Sequence, residues 1–196
     1  MWSLRVYAAS GTAESRKGEP LACPESLCIG RSWHAWEMRA VVQRSIDAKV
    51  TVNQEVVGSF TGPGLVLLIG ITHTDTNKHA DRLAEKIHGL RIFDQQFLSQ
   101  FDQVCVAPGS ARELSAGELG LPILVISQFT LYASTAKGRR PTWDAAAPGD
   151  VAEPLVETFV QKLRDLGTEV SQGKFGSDMN VSLVNAGPMT LIVDMD

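Results

Sequence analysis

Cysteine is scarce in this chain, with three in 196 residues: Cys23, Cys28 and Cys105. Three thiols give no disulfide framework, and their spacing matches no ligand pattern, so a reducing, cytoplasmic setting is the simplest reading. Histidine is also sparse. His34, His73, His79 and His88 show no recognised metal-ligand spacing. Surface histidines are the plain reading, and no metal is expected. Long apolar runs are missing too. The longest, Leu65–Ile69, is strand-length against the roughly 20 residues of a membrane helix, so no membrane partner is expected. Excess basic charge is absent: the net charge is −4, which excludes a general nucleic-acid magnet and leaves any RNA to a local basic patch. Neither GxGxxG nor GxxxxGK[ST] occurs, so no nucleotide loop of those kinds is present and no cofactor is expected. Internal repeats and low-complexity tracts are lacking, which excludes a solenoid.

What remains suits one globular domain with a real core, being 44% hydrophobic and 20% charged. Residues 1–37 stand apart. They hold two of the three cysteines and three of the four tryptophans, with no sustained period of 2 or 3.6. Their four basic residues are balanced by four glutamates, unlike a secretory or transit leader. They read as a flexible extension or the product of an upstream start codon, with Met38 opening a single domain over 38–196.

From Met38 the periodicity is crisp. "MRAVVQRS" predicts a strand, and "AKVTVNQEVVGSF" a hairpin turning at Asn53-Gln54. "GLVLLIGI" predicts a strand buried on both faces. Asp75 or Thr76 can cap a helix to about Leu90, with Ala80, Leu83, Ala84, Ile87 and Leu90 on one face. Asp94–Leu121 reads as loop-rich. "PILVISQFTLYA" begins as a buried strand and turns polar at Ser127. A second helix is expected from Asp150 or Ala152, with Pro154 in its first turn and Gly167 at its end. Glu169–Ser171, Met179–Val184 and Met189–Met195 are strand-like. The expected fold is α+β: antiparallel-rich, barrel- or sandwich-like sheets with two main helices packed on one face, a three-layer α/β/β arrangement.

Candidate chemistry is thin when each feature stands alone. Lys137-Gly138-Arg139-Arg140 is a solvated turn or a phosphate contact. Ser127, Gln128 and Thr130 lie where a buried strand meets a loop, a frequent place for active-site groups, yet no histidine is an evident base. They are strand-end hydrogen-bonders or catalysts. If they are catalysts, the base comes from substrate or water and backbone N–H groups hold the oxyanion. Gly187-Pro188, between two apolar runs, is a strand breaker or a working part.

Taken together, "MRAVVQR" (38–44), "SQFTLYA" (127–133), "KGRRPTW" (137–143) and "FGSDMNVSLVNAGPMT" (175–190) resemble the D-aminoacyl-tRNA deacylase family across nearly all of 38–196. The resemblance implies a hydrolase that cleaves the ester between a D-amino acid and the 3′-terminal adenosine of tRNA. It also implies removal of glycine misattached to tRNA(Ala). The family is a homodimer with sites at the subunit interface and needs no helper protein. On this resemblance Ser127, Gln128, Phe129 and Thr130 line the site, with the Phe129 and Thr130 N–H groups as oxyanion donors. Gly187-Pro188, carrying a cis bond, enters the partner's site as the wall that rejects L-substrates. Phe175 and Met179 lie near the terminal adenosine, and Arg44 holds the Gly-Pro segment. The Thr130 hydroxyl attacks or only positions; the substrate's 2′-hydroxyl or water is the other candidate for attack.

A backbone wall suits the task, because L- and D-esters carry the same groups and only a collision separates them well. Glycine, with no side chain to exclude, should pass the same wall. Three positions depart from the family's usual residues: Ala186, Met189 (larger and softer than the usual Val) and Trp143 (often Phe). The intact "SQFT" separates the chain from relatives with a trans Gly-Pro that tolerate L-alanyl esters. A competing function is a DNA-binding module, since a vertebrate branch of the family is associated with replication origins. A plain metabolic hydrolase lacks a nucleophile–base pair.

Overall fold

The computed structural model describes residues 37–102, 104 and 112–195. The expectations for residues 1–36, and for the three cysteines, lie outside those residues. Seven strands and four helices follow in the order β1 (Arg39–Val52), β2 (Glu55–Gly70), α1 (Asn77–His88), β3 (Arg91–Phe93), α2 (Gln95–Leu98), β4 (Leu114–Ser115), α3 (Ala116–Leu119), β5 (Ile123–Ser127), α4 (Gly149–Asp165), β6 (Val170–Gln172) and β7 (Asn180–Asp194). The main sheet has the order β6-β5-β2-β1-β7, and β3 pairs with β4 separately. The longest ladders, β1 with β2 and β1 with β7, are antiparallel. The β2–β5 and β5–β6 pairs are parallel. The fold is α+β, as expected.

The strands are longer than the sequence pattern predicts. The first strand and the first arm of the hairpin are one strand, β1, and the second arm runs on through Pro63 and Gly64 into the apolar run to make β2. Asp47, at φ 52, marks the irregularity between Ile46 and Ala48 that hides this continuity. Its carboxylate accepts the Gly62 N–H at 2.7 Å, tying the two bends together. Asn53 and Gln54 both have positive φ, the conformation of a tight two-residue hairpin turn.

The two helices α1 and α4 cover one face of the sheet. Met38, Ala40, Val42, Leu65, Leu67, Ile69, Ile123 and Val125 meet Leu83, Ile87, Phe159, Val160 and Leu163 in one buried cluster. Val66, Leu124 and Ile126 alternate with those strand residues and point the other way. There they join Ala48, Val50 and Phe60 from the far halves of β1 and β2. Burying a large aliphatic side chain contributes about 1.5–3 kcal/mol, so the helix-side cluster dominates stability. Thr76 is the N-cap of α1. Asp75 instead anchors the start of β1: its buried carboxylate accepts the Met38 and Thr72 N–H groups, each at 2.7 Å. Burial pushes its pKa up, against the pull of those bonds. Glu37 is tied in as well, since its carbonyl accepts the Tyr132 hydroxyl at 2.9 Å.

Several expectations shift. α4 begins at Gly149 behind Pro148, so Pro154 lies in its second turn rather than its first. The loop-rich stretch holds α2, β4 and α3. His79 and His88 are engaged rather than free on the surface: His79 Nε2 lies 3.1 Å from Glu37, and His88 Nδ1 lies 3.0 Å from the Thr168 hydroxyl. No helix among the described residues is long and apolar enough to cross a membrane.

Candidate active site

β5 is buried along its length and ends at Ser127, where its pairing with β2 stops at Ile69. The next N–H, of Gln128, donates to the Ile69 carbonyl at 2.7 Å. The chain then winds into a 3₁₀ turn, Phe129–Tyr132. A turn of this kind offers its first N–H groups no acceptor within itself, so those of Phe129 and Thr130 are donors without an internal partner. The turn is held from behind. Arg39 Nη1 donates to the Leu131 carbonyl at 3.2 Å, and Asp194 fixes Arg39 at 2.6 Å. Gly70 lies under the turn, where an added Cβ would sit 3.0 Å from both Leu131 and Tyr132.

In front of the turn is a cleft of about 460 Å³. Ser127, Gln128 and Phe129 line one side, and Phe175, Gly176, Asp178 and Met179 another. Ile69, Ile71 and Ile126 line it from the strands, and Gly149 and Val156 from α4. A Cβ on Gly149 would meet the Phe175 ring at 3.6 Å, so the ring lies against the first turn of the helix. On the other flank, the Met179 sulfur lies where a Cβ on Gly173 would come within 2.6 Å. The cleft is therefore lined largely by apolar groups, with Phe129 of the 3₁₀ turn at its wall. No cluster of three or more metal-ligating side chains occurs among the described residues.

Thr130 follows Phe129 in the turn and is not among the residues that line the cleft. Its hydroxyl accepts from the Gln128 side-chain amide at 2.5 Å, and an amide is no base. Neither Arg44 nor Gly187 lines this cleft, and the Pro188 side chain lies outside what the structure describes. Of the two readings of Gly187-Pro188, a strand breaker or a working part, the break is not seen: β7 runs through the pair with a large bulge. Gln43 pairs with Thr190 and Ser45 with Asn185, so β1 advances two residues while β7 advances five. The surplus, Ala186–Met189, stands off the ladder opposite Arg44. Asn185 closes its base with a 2.9 Å bond to the Thr190 hydroxyl. The buried Arg44 reaches its near end, with Nε donating to the Ala186 carbonyl at 3.3 Å. Nη1 of Arg44 bonds the Ile92 carbonyl at 2.8 Å and Asp94 at 2.7 Å, and the guanidinium lies over the Phe97 ring at 4.3 Å. The Phe97 N–H and Arg44 bonds hold the Asp94 carboxyl below its usual range.

Sequence reading did not single out Gly149 or Asp178. Gly149 follows Pro148 directly, a helix-start signal that also keeps side-chain bulk out of the cleft. Asp178 lies within the quoted "FGSDM" and was passed over for its neighbours.

Fold and cleft define an α+β protein with a strand-end site of apolar walls and a few polar side chains, Ser127, Gln128, Ser177 and Asp178 among them. The model of the family described as D-Tyr-tRNA(Tyr) deacylase matches residues 41–194, and the chain belongs to that family. A D-aminoacyl-tRNA deacylase of Cutibacterium acnes is 54% identical over 159 residues, 81% of this chain and 98% of that protein. One from Acidothermus cellulolyticus is also 54% identical, over 81% of this chain and all of its own length. Among solved structures, the c-Myc DNA Unwinding Element Binding Protein superposes with a TM-score of 0.67 at 32% identity, over 81% of this chain and 99% of its own. A probable eukaryotic D-amino acid tRNA deacylase gives the same TM-score at 18% identity, which speaks for the fold alone.

Proposed function

We propose that this chain is a D-aminoacyl-tRNA deacylase. It hydrolyses the ester joining a D-amino acid to the 3′-terminal adenosine of tRNA, and removes glycine mischarged on tRNA(Ala). The observation that carries the reading is the cleft that gathers Ser127, Gln128, Phe129, Phe175 and Met179 at the end of β5, in a chain of this family. The adenine lies against Phe175 and Met179, and the ester carbonyl faces the Phe129 and Thr130 N–H groups. Water attacks the carbonyl carbon, the bond to the ribose oxygen breaks, and that oxygen takes a proton. The neighbouring 2′-hydroxyl assists, which removes the need for a histidine. The N–H donors then stabilise the charge that grows on the carbonyl oxygen.

The wall against L-substrates is the Ala186–Met189 bulge of a second copy, with Gly187-Pro188 in the cis form. Support comes from Ala186, Gly187 and Met189, none of which lines the cleft of its own chain, and from the open space around Gly187, where an added Cβ meets nothing within 4 Å. A homodimer is supported further by exposed apolar side chains on β7, one of the two edge strands of the sheet: Val184 is 58% exposed and Ile192 67%. We place the enzyme in the cytoplasm with its tRNA substrates, without a cofactor.

Incubation with D-tyrosyl-, L-tyrosyl- and glycyl-tRNA tests this. Release of D-Tyr and Gly, with L-Tyr retained, is expected. Equal release of both tyrosine forms would remove the wall, and no release at all would remove the activity. A second reading, DNA binding without hydrolysis, is favoured by the likeness to the DNA unwinding element binding protein. Retained duplex binding with no release of any amino acid would select it.

A further inference from the structure

Phe129 lines the cleft yet the residue is 55% exposed, and its ring packs edge-on against that of Trp143, a residue 41% exposed, with centroids 5.4 Å apart. Two large aromatic side chains exposed side by side at the mouth of a cleft are costly to leave in water without a use. The segment between them is firmly tied at its ends. Ser134 and Thr142 exchange backbone bonds of 2.8 and 3.0 Å. The downstream arm is pinned by the Thr72 hydroxyl on the Ala145 carbonyl at 2.7 Å and by the Ala147 N–H on Ile71 at 2.9 Å. At the tip, Gly138 has φ +75, a left-handed turn that carries Lys137, Arg139 and Arg140 on its flanks, all exposed. None of the three has a carboxylate partner among the described residues. No acidic residue occurs between Gln128 and Trp143. A chain of net charge −4 thus holds a concentrated positive patch beside two exposed rings and the cleft.

We infer that the Phe129–Trp143 ring pair and the Lys137–Arg140 turn bind the single-stranded nucleotides that precede the terminal adenosine of the substrate RNA. The inference rests on the deacylase reading of the cleft. Single-stranded RNA is gripped by aromatic faces that stack its bases and by cations that follow its phosphates, and this corner supplies both. A second copy docked through this same corner is the poorer occupant, because a two-fold axis there would bring the same three cations against these.

The test compares two esters and one direct binding probe. The esters are D-tyrosyl-tRNA and D-tyrosyl-adenosine, which lacks every upstream nucleotide. Trp143→Ala is expected to lower kcat/KM on the tRNA about 10- to 100-fold, in line with the loss of one base stack, and to leave the adenosine ester within about twofold. Trp143→Phe should restore most of the loss. Arg139→Gln with Arg140→Gln should flatten the plot of log Kd against log salt by about 1.4, at 0.7 per phosphate contact. An equal loss on both esters would overturn the inference, and so would a dimer that falls apart in Trp143→Ala on size exclusion.

The direct probe is an uncharged single-stranded RNA ending in CCA, followed by the fluorescence of Trp143, obtained by subtracting a Trp143→Phe sample. Quenching that the double arginine variant weakens supports the platform even if neither ester is cleaved, in which case only the deacylase reading fails. No quenching overturns the platform whatever the ester assays give.

Discussion

Arg44 brings a guanidinium to a position where a central strand ordinarily carries an apolar side chain. It is tolerated because it meets two carbonyls, one carboxylate and an aromatic face. Arg44→Leu would leave the Ile92 carbonyl and Asp94 without that donor, and should lower stability by about 2–3 kcal/mol, measured by urea unfolding. Asp94 is 41% exposed, so its ion pair alone is worth little, but its pH signature is clear. Its folded pKa lies below the ordinary value of 3.8, so its contribution is complete above that value and fades as pH falls through the folded one. Asp94→Asn should therefore destabilise at pH 6 and differ progressively less from wild type as pH falls below about 3.8. A gap that widens in acid would contradict this assignment. Thr130 makes the second residue-scale prediction. Its hydroxyl is held by an amide, with no base to take its proton, so Thr130→Ala should keep tRNA binding and lose less than about a thousandfold in rate. A larger loss would make the hydroxyl the nucleophile.

The bulge of β7 is the element where sequence and structure part most usefully. Gly-Pro between apolar runs reads locally as a break between strands, since both residues weaken a ladder. The ladder instead resumes at Thr190 with the same partner strand, and only the pairing shows that four residues face one. The same limit hid the continuity of β1 and β2, because Asp47, Gly58, Pro63 and Gly64 look like punctuation, and a bent strand can absorb them. The helices were legible, because their apolar faces recur at helical spacing whatever packs on them. The site was legible only as separate quoted motifs. The cleft brings Ser127 and Met179 together through tertiary packing, which no local period encodes, and Gly149 enters it only as a missing side chain. Gly187 offers a sharp prediction at this scale. Its φ is not left-handed and nothing crowds its Cβ position, so Gly187→Ala should change stability by less than about 0.5 kcal/mol. If the bulge walls a partner's cleft, the same methyl should lower kcat/KM on D-tyrosyl-tRNA by at least about tenfold, the cost of a single added clash near 1.4 kcal/mol. Unchanged kinetics would leave the bulge with no part in the site.

At the scale of the whole molecule, the cleft and the bulge belong to different working units if each subunit lends its bulge to the other. Closed two-fold symmetry makes that exchange reciprocal, so every dimer has two composite sites. A Gly187→Trp dimer would then have intact clefts and blocked walls, and a dimer carrying Phe175→Ala with Met179→Ala would have intact walls and damaged clefts. Each should be nearly inactive alone. Co-folded in equal amounts, half of the dimers are mixed, and each mixed dimer holds one site with both parts intact. The mixture should recover about a quarter of the wild-type rate on D-tyrosyl-tRNA, the share set by random pairing across a two-fold interface. Activity that stays at the level of the two parents would mean that the bulge acts on the cleft of its own chain or on none. Recovery that disappears when Val184→Lys is added to both chains, with monomers on size exclusion, would place the β7 edge in the interface that makes the exchange possible.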